Sequence, residues 1–430
     1  MNKVLSRAAL LAATCALSAA PLTAGAQGSP KVITFWTAEM ASYEPLMNGL
    51  IKQFETQNPG VQIKWVDVPF GEVQTRLVQA VAAGREPDVV NLSYEWTHRF
   101  AAEGALVPLQ KYLSKQDLAS YLPNILSAMR YGNDVGALPY YLTTEVVLWN
   151  KDIFRQAGLD PNKGPTSDAD LLRMGRQIKA KTGKYAFMPT GTILGNPYNF
   201  FRSYNIPLLS ADGKRAAFNT PRAVAALKFW KAAYDQGLMP EETPSAEFKE
   251  EVTRFGAGDL AIAITGPWFV GSQLIPNGFD IGKLGIGAYY GIPNAATMDV
   301  AVMSGSKYPA EAAKWARFVT SDTAMLAHAR FTNGTELPGT TQALRSNFFK
   351  QPETSAKTAA LNQAYTTLKR ISASQMLRAR ISPPKISTER YDELTTALKD
   401  AVKASLLGQK DPQKALADAQ ATWNKVLAAR

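Results

Sequence analysis

Apolar positions along the chain switch between two spacings. Val32-Ile33-Thr34-Phe35-Trp36 is a continuous β-prone run, and Val61-Gln62-Ile63-Lys64-Trp65-Val66 alternates with the period of two of a strand that buries one face. Between them Leu46, Leu50, Ile51 and Phe54 share one face of a helix that Asn58-Pro59-Gly60 stops. Val73, Leu77, Val78 and Val81 mark a second helix, closed by Gly84 at a C-cap position, and residues 88–92 form a short buried strand. This rhythm predicts parallel strands with crossover helices. Ligands of such sheets bind beyond the carboxyl ends of the strands, here in the loops 36–41, 68–71 and 93–96.

The middle of the chain changes character. Residues 138–149 read as one unbroken strand, long enough to pass from one lobe into another. Helical patterns follow over 168–180, 221–236 and 248–256, and then a strand over 261–265 that ends in Gly266-Pro267-Trp268. A Gly-rich stretch, 282–291, precedes a helix over 309–320. The tail is helical again from Thr388, with a break at 408–412. No repeat is visible.

The first residues stand apart from this pattern. Lys3 and Arg7 precede a short Ala- and Leu-rich run, and Ala24-Gly25-Ala26 supplies the small residues of a cleavage site, so 1–26 reads as a secretory signal peptide. The run is too short for a membrane span of about 20 residues. Cys15 is the only cysteine; Ala12-Ala13-Thr14 before it fits a lipid-anchor motif poorly. With that cysteine and two histidines, His98 and His328, neither a disulfide scaffold nor a Cys- or His-ligated metal centre is expected, and no cofactor.

Loss of Lys3 and Arg7 lowers the formal charge from +11 to +9. The 36 acids are interleaved with the bases, which points to a solvated surface of mixed sign and away from nucleic acid. Motifs for phosphate loops, zinc-protease helices and nucleophile elbows are absent. Gly285 and Gly287 lack the third glycine of a dinucleotide fingerprint. No catalytic residue is indicated. A carboxylate pair could still serve glycoside hydrolysis, which keeps a secreted carbohydrate-active enzyme as an alternative.

Ordered matches along nearly the whole mature chain supply a resemblance. They include Ile33-Thr34-Phe35-Trp36, Gly84-Arg85-Glu86-Pro87-Asp88-Val89-Val90, Leu138-Pro139-Tyr140, Trp149-Asn150-Lys151-Asp152 and Ile264-Thr265-Gly266-Pro267-Trp268. The chain resembles the extracytoplasmic solute-binding proteins of ABC importers, the group that includes maltose-binding protein and the glycerol-phosphate binders. The resemblance implies an α/β, two-lobed fold with a ligand cleft between lobes and a multi-segment hinge. One lobe would take 30–139 plus 293–337 and the other 140–292 plus 338–430, with Gly334-Thr335-Glu336-Leu337-Pro338 as the last hinge segment. It implies a periplasmic monomer that captures a mono- or oligosaccharide and delivers it to a membrane permease.

Sugars offer apolar C–H faces and polar rims, so their sites combine aromatic platforms with carboxylates and amides. By resemblance Trp268, in its Gly-Pro turn, is the stacking platform, with a core tryptophan as the other reading. Trp36 serves either the cleft or the packing beneath the first helix, and Glu39 in the next loop reaches hydroxyls. Tyr94 and Glu95 follow the third strand, Glu95 at a position where the family carries an acid that holds sugar hydroxyls. Tyr141 and Thr143 share one face of the crossing strand, Thr143 standing where maltose-binding protein has a ligand-binding acid. Tyr198 resembles a second stacking aromatic. Near Arg390 the family carries a large aromatic, and here Arg390 precedes Tyr391. Arginines of this tail, Arg380 above all, suit a phosphate or carboxylate, so an anionic polyol such as glycerol phosphate is the alternative ligand.

Overall fold

The computed structural model describes residues 29–190, 194, 196–381 and 391–428; the signal-peptide segment and Arg390 lie outside them. The described strands are β1 (Lys31–Ala38), β2 (Val61–Val68), β3 (Val89–Ser93), β4 (Arg130–Tyr131), β5 (Asp134–Val135), β6 (Ala137–Thr143), β7 (Val146–Asn150), β8 (Tyr185–Phe187), β9 (Leu260–Thr265), β10 (Leu284–Ala288), β11 (Ala296–Val302) and β12 (Leu337–Pro338). Two sheets hold ten of them, in the orders β12-β6-β11-β3-β1-β2 and β10-β7-β9-β8, and β4 and β5 form a small hairpin.

In the first sheet β1 pairs in parallel with both β2 and β3, as the strand–helix rhythm requires. The helix Glu44–Gln57 buries Met47, Leu50 and Phe54 against this sheet. The helix Phe70–Ala82 buries Val73 and Leu77, whereas Val78, expected on the same face, is exposed. β11 enters antiparallel between β3 and β6.

The expected unbroken strand over 138–149 is two strands. β6 belongs to the first sheet and β7 to the second, with Thr144 and Glu145 between them. The chain returns from β10 to β11 through 289–295. The helix Thr341–Leu344 still packs on β12 and on the helix Asp322–Phe331, so the chain stays with the first sheet past Pro338. The expected boundaries 139/140 and 337/338 therefore fall inside β6 and β12.

The second sheet is mixed, with β9 parallel to β8 and antiparallel to β7. Its Gly-rich strand serves packing. A Cβ at Gly285 would lie 2.0 Å from the Trp149 ring, so the indole can cross this strand only where side chains are missing. The helices Pro221–Asp235, Tyr391–Leu406 and Pro412–Ala428 share the core around Trp230 and Trp423.

Candidate ligand cleft

Strand register gathers the candidate residues. Met298 of β11 pairs with Ser93 on one side and Tyr141 on the other, and Trp36 pairs with Val90. The carboxyl ends of β1, β3 and β6 therefore lie on one edge of the first sheet, next to the crossing at Thr144. In the second sheet Thr265 pairs with Val146, so β9 ends beside the same crossing. These are the edges where open α/β sheets bind ligands.

At the exit of β1 a short network fixes the backbone. Asp67 accepts from the Thr37 hydroxyl at 2.6 Å and the Met40 amide at 2.8 Å, while Trp65 Nε1 donates to Thr37 Oγ1 at 2.7 Å. Glu39, between them, is exposed and has a left-handed φ of 56°. A non-glycine residue held there stores strain of about 1–3 kcal/mol, which neighbouring bonds must impose. Trp36 lies inside β1 rather than at its end, half-buried against Val73, Leu77 and Met298.

β3 leads directly into the helix Tyr94–Ala102, where a loop was expected. Glu95 occupies its first turn, half-buried. Burial pushes its carboxyl pKa up, against hydrogen bonds from its own backbone and the Ser93 hydroxyl that favour the anion. Tyr94 is buried, its ring 4.5 Å from that of His98.

Beneath this edge lies an acid that sequence reasoning missed. Asp299 is fully buried in β11; Oδ2 accepts from Thr97 Oγ1 at 3.1 Å, and Oδ1 has no partner among the described residues. Burial raises its pKa to about 8, hydrogen bonds from Thr297 and Thr97 oppose that rise, and the Glu95 charge adds to it. The signal was available: Asp299 is the lone acid in the otherwise apolar stretch from Met298 to Met303.

Tyr141 stacks on His328, with ring centres 5.0 Å apart and planes 15° apart. His328 pairs with Glu336, which also accepts from the Tyr43 hydroxyl at 2.9 Å. The Tyr141 ring is thus held by a polar cluster of the first lobe. Thr143 is half-buried, and its hydroxyl has no partner among the described residues.

On the second sheet β9 is buried throughout and ends at Gly266-Pro267-Trp268. Trp268 is half-buried, edge-on to Phe248 at 5.4 Å and 66°. A Cβ at Gly266 would sit 2.1 Å from Trp268 Nε1, so only glycine lets the indole fold back over the strand end. Tyr198 is placed elsewhere than a stacking platform requires. It is 3% exposed in the second lobe's core, its hydroxyl 2.8 Å from Thr395 Oγ1. Arg380 is exposed; Nη1 donates to Asn205 Oδ1 at 2.7 Å, and its backbone pairs with Pro293 and Ala295. No group of three or more His, Cys, Asp or Glu side chains suited to a metal occurs among the described residues. No helix among them is long and apolar enough to cross a membrane.

The model of bacterial extracellular solute-binding proteins matches residues 37–326. The chain belongs to that family. A solved Synechococcus sp. MITs9220 protein described as an oligosaccharide periplasmic-binding protein is 27% identical, covers 93% of this chain and 99% of its own, and superposes with a TM-score of 0.80. A binding protein of Brucella abortus (strain 2308) is 26% identical over 395 residues, 89% of this chain and 90% of that protein. The maltotriose-binding protein of Pyrococcus abyssi is 23% identical over 249 residues, 57% of this chain and 51% of that protein. The expected α/β, two-lobed binding-protein fold is the observed one. Relatives of this kind are solute-binding proteins and not enzymes.

Proposed function

We propose that the chain is the sugar-capturing component of an ABC importer. It is exported by a signal peptide cut after Ala26, works as a monomer in the periplasm, and hands its ligand unchanged to a membrane permease. The observation that carries this reading is the pair of strand edges at one crossing, with carboxylates on the first sheet and a half-buried indole on the second. Glu39 and Glu95 accept from sugar hydroxyls while Trp268 covers a C–H face. Thr143 lies at the crossing with a hydroxyl to offer, and Tyr141 and Tyr94 shape the polar side. Trp36 packs beneath the first-sheet edge, whereas Tyr198 belongs to the second lobe's core and takes no part in the site. The oligosaccharide binder from Synechococcus and the maltotriose binder from Pyrococcus support a carbohydrate ligand.

A ligand held by both edges favours the state in which they are close, so binding closes the lobes about 141–144 and the segment around Gly334, whose φ is 75°. The test is a thermal-shift panel of mono- and oligosaccharides, polyols and sn-glycerol 3-phosphate. A ligand at 100 times its Kd adds about 2.7 kcal/mol of stability. A sugar should bind stoichiometrically and be recovered intact. New products on incubation would favour the enzyme reading. A response to glycerol phosphate alone would move the ligand to the arginine side, around Arg380.

A further inference from the structure

The first crossing carries a buried ion pair for which ligand capture has no direct use. Glu145 stands between β6 and β7, and Arg202 lies in the helix Pro197–Ser203; their side chains are 6% and 5% exposed. Arg202 donates through Nη2 to Glu145 Oε1 and through Nη1 to the Ile292 carbonyl. The second carboxylate oxygen of Glu145 accepts from the Asn294 amide at 2.6 Å. Gln375, in the helix Ala359–Met376, donates to the Glu145 carbonyl at 2.7 Å. One carboxylate thus joins the first crossing, the second crossing and a guanidinium of the second lobe.

A buried ion pair contributes little net stability, because desolvation offsets its attraction. What a forked guanidinium supplies is fixed geometry. Just upstream the situation is reversed. The hydroxyls of Thr143 and Thr144 are buried without a partner among the described residues. Rotation there breaks no side-chain hydrogen bond, whereas rotation at Glu145 or at Ile292 would break several.

We propose that Glu145 and Arg202 are positioning residues for lobe closure. Their pair fastens both crossings to the second lobe, so closure pivots on the first-sheet side, at Thr143-Thr144 and Ala295-Ala296. The inference rests on the closure reading, and its test needs no ligand. Hydrogen exchange on the mature protein compares wild type, Arg202→Lys, Arg202→Met and Glu145→Gln. Arg202→Met should speed exchange at 144–146 and 289–296 at least tenfold, with β1 to β3 unchanged and Arg202→Lys intermediate. An unchanged rate at the crossings, or an equal rise in both sheets, would overturn the proposal.

Glu145→Gln keeps the shape and an acceptor for Asn294, and so serves should Arg202→Met not fold. Because Cys15 is the only cysteine and lies in the segment to be removed, spin labels at Lys52→Cys and Lys228→Cys are unique, on exposed positions of the two lobes. The label–label distance distribution of the sugar-free protein should broaden in Glu145→Gln. An unchanged distribution counts against the latch. Maltotriose is the probe of closure: if it fails to bind wild type, that counts against the sugar reading alone, and exchange and distances still decide the latch.

Discussion

The two edges that meet at the crossing are built from opposite materials. The first sheet ends in three aligned strands and offers acids: exposed Glu39, half-buried Glu95 and, beneath them, fully buried Asp299. The second sheet ends β9 in an apolar strand and an indole braced on Phe248. In the proposed sugar-binding reading the carboxylates take the hydroxyl rim and the ring plane a C–H face, so neither edge would suffice alone. That division of labour would place the affinity in the joined state. A pair that ties both crossings to one lobe gives that joined state a defined pivot.

The largest effect should come from the tie between the halves. Arg202→Met leaves Glu145 charged, buried and unpaired, and should cost about 3–5 kcal/mol in urea denaturation. A loss below about 1 kcal/mol would mean that Glu145 finds water.

Next in size is the acid-rich edge itself. Asp299 is raised to about 8 in the folded protein, against about 3.9 unfolded. The native state therefore binds the extra proton between those values. The stability this group contributes is fully present below pH 4 and is lost as pH rises through 8, by up to about 1.4 kcal/mol per pH unit. Asp299→Asn should flatten that slope in denaturation curves from pH 5 to 8. A slope identical to wild type would remove Asp299 as its source.

The aromatic edge makes a smaller and different prediction. Trp268→Ala should weaken sugar binding by about 2 kcal/mol, close to thirtyfold by calorimetry, and lower stability by less. If stability falls more than affinity, Trp268 is a core residue and the two edges are not partners. The smallest effect is at Glu39. Glu39→Gly relieves the left-handed φ and should raise stability by about 1 kcal/mol while weakening sugar binding. Equal or tighter binding would take Glu39 out of the cleft.

Much of this was legible from residue pattern alone. Apolar spacing at two and at 3.6 residues foretold β1 to β3, their helices and β9, because burial of one face demands that period whatever the neighbours are. The turn Gly266-Pro267-Trp268 marked the indole that the strand end presents. The candidate carboxylates rested on different signals, Glu39 on the loop after a strand and Glu95 on the family resemblance, and Glu95 stands in a helix that follows β3 directly where a loop was expected.

Tertiary structure decided the rest. Residues 138–149 have uniform β propensity, and nothing local reveals that β6 and β7 belong to different sheets; only the partners β11 and β9 divide them. Tyr198 has the composition of a platform, yet Thr395, 197 residues away, accepts it into the core. Asp299 takes its raised pKa from burial within the assembled sheet and from the nearby Glu95 charge, and Glu145 its role from an arginine 57 residues on. Local period is a property of each segment, whereas burial, charge pairing and strand partnership depend on residues that sequence keeps far apart.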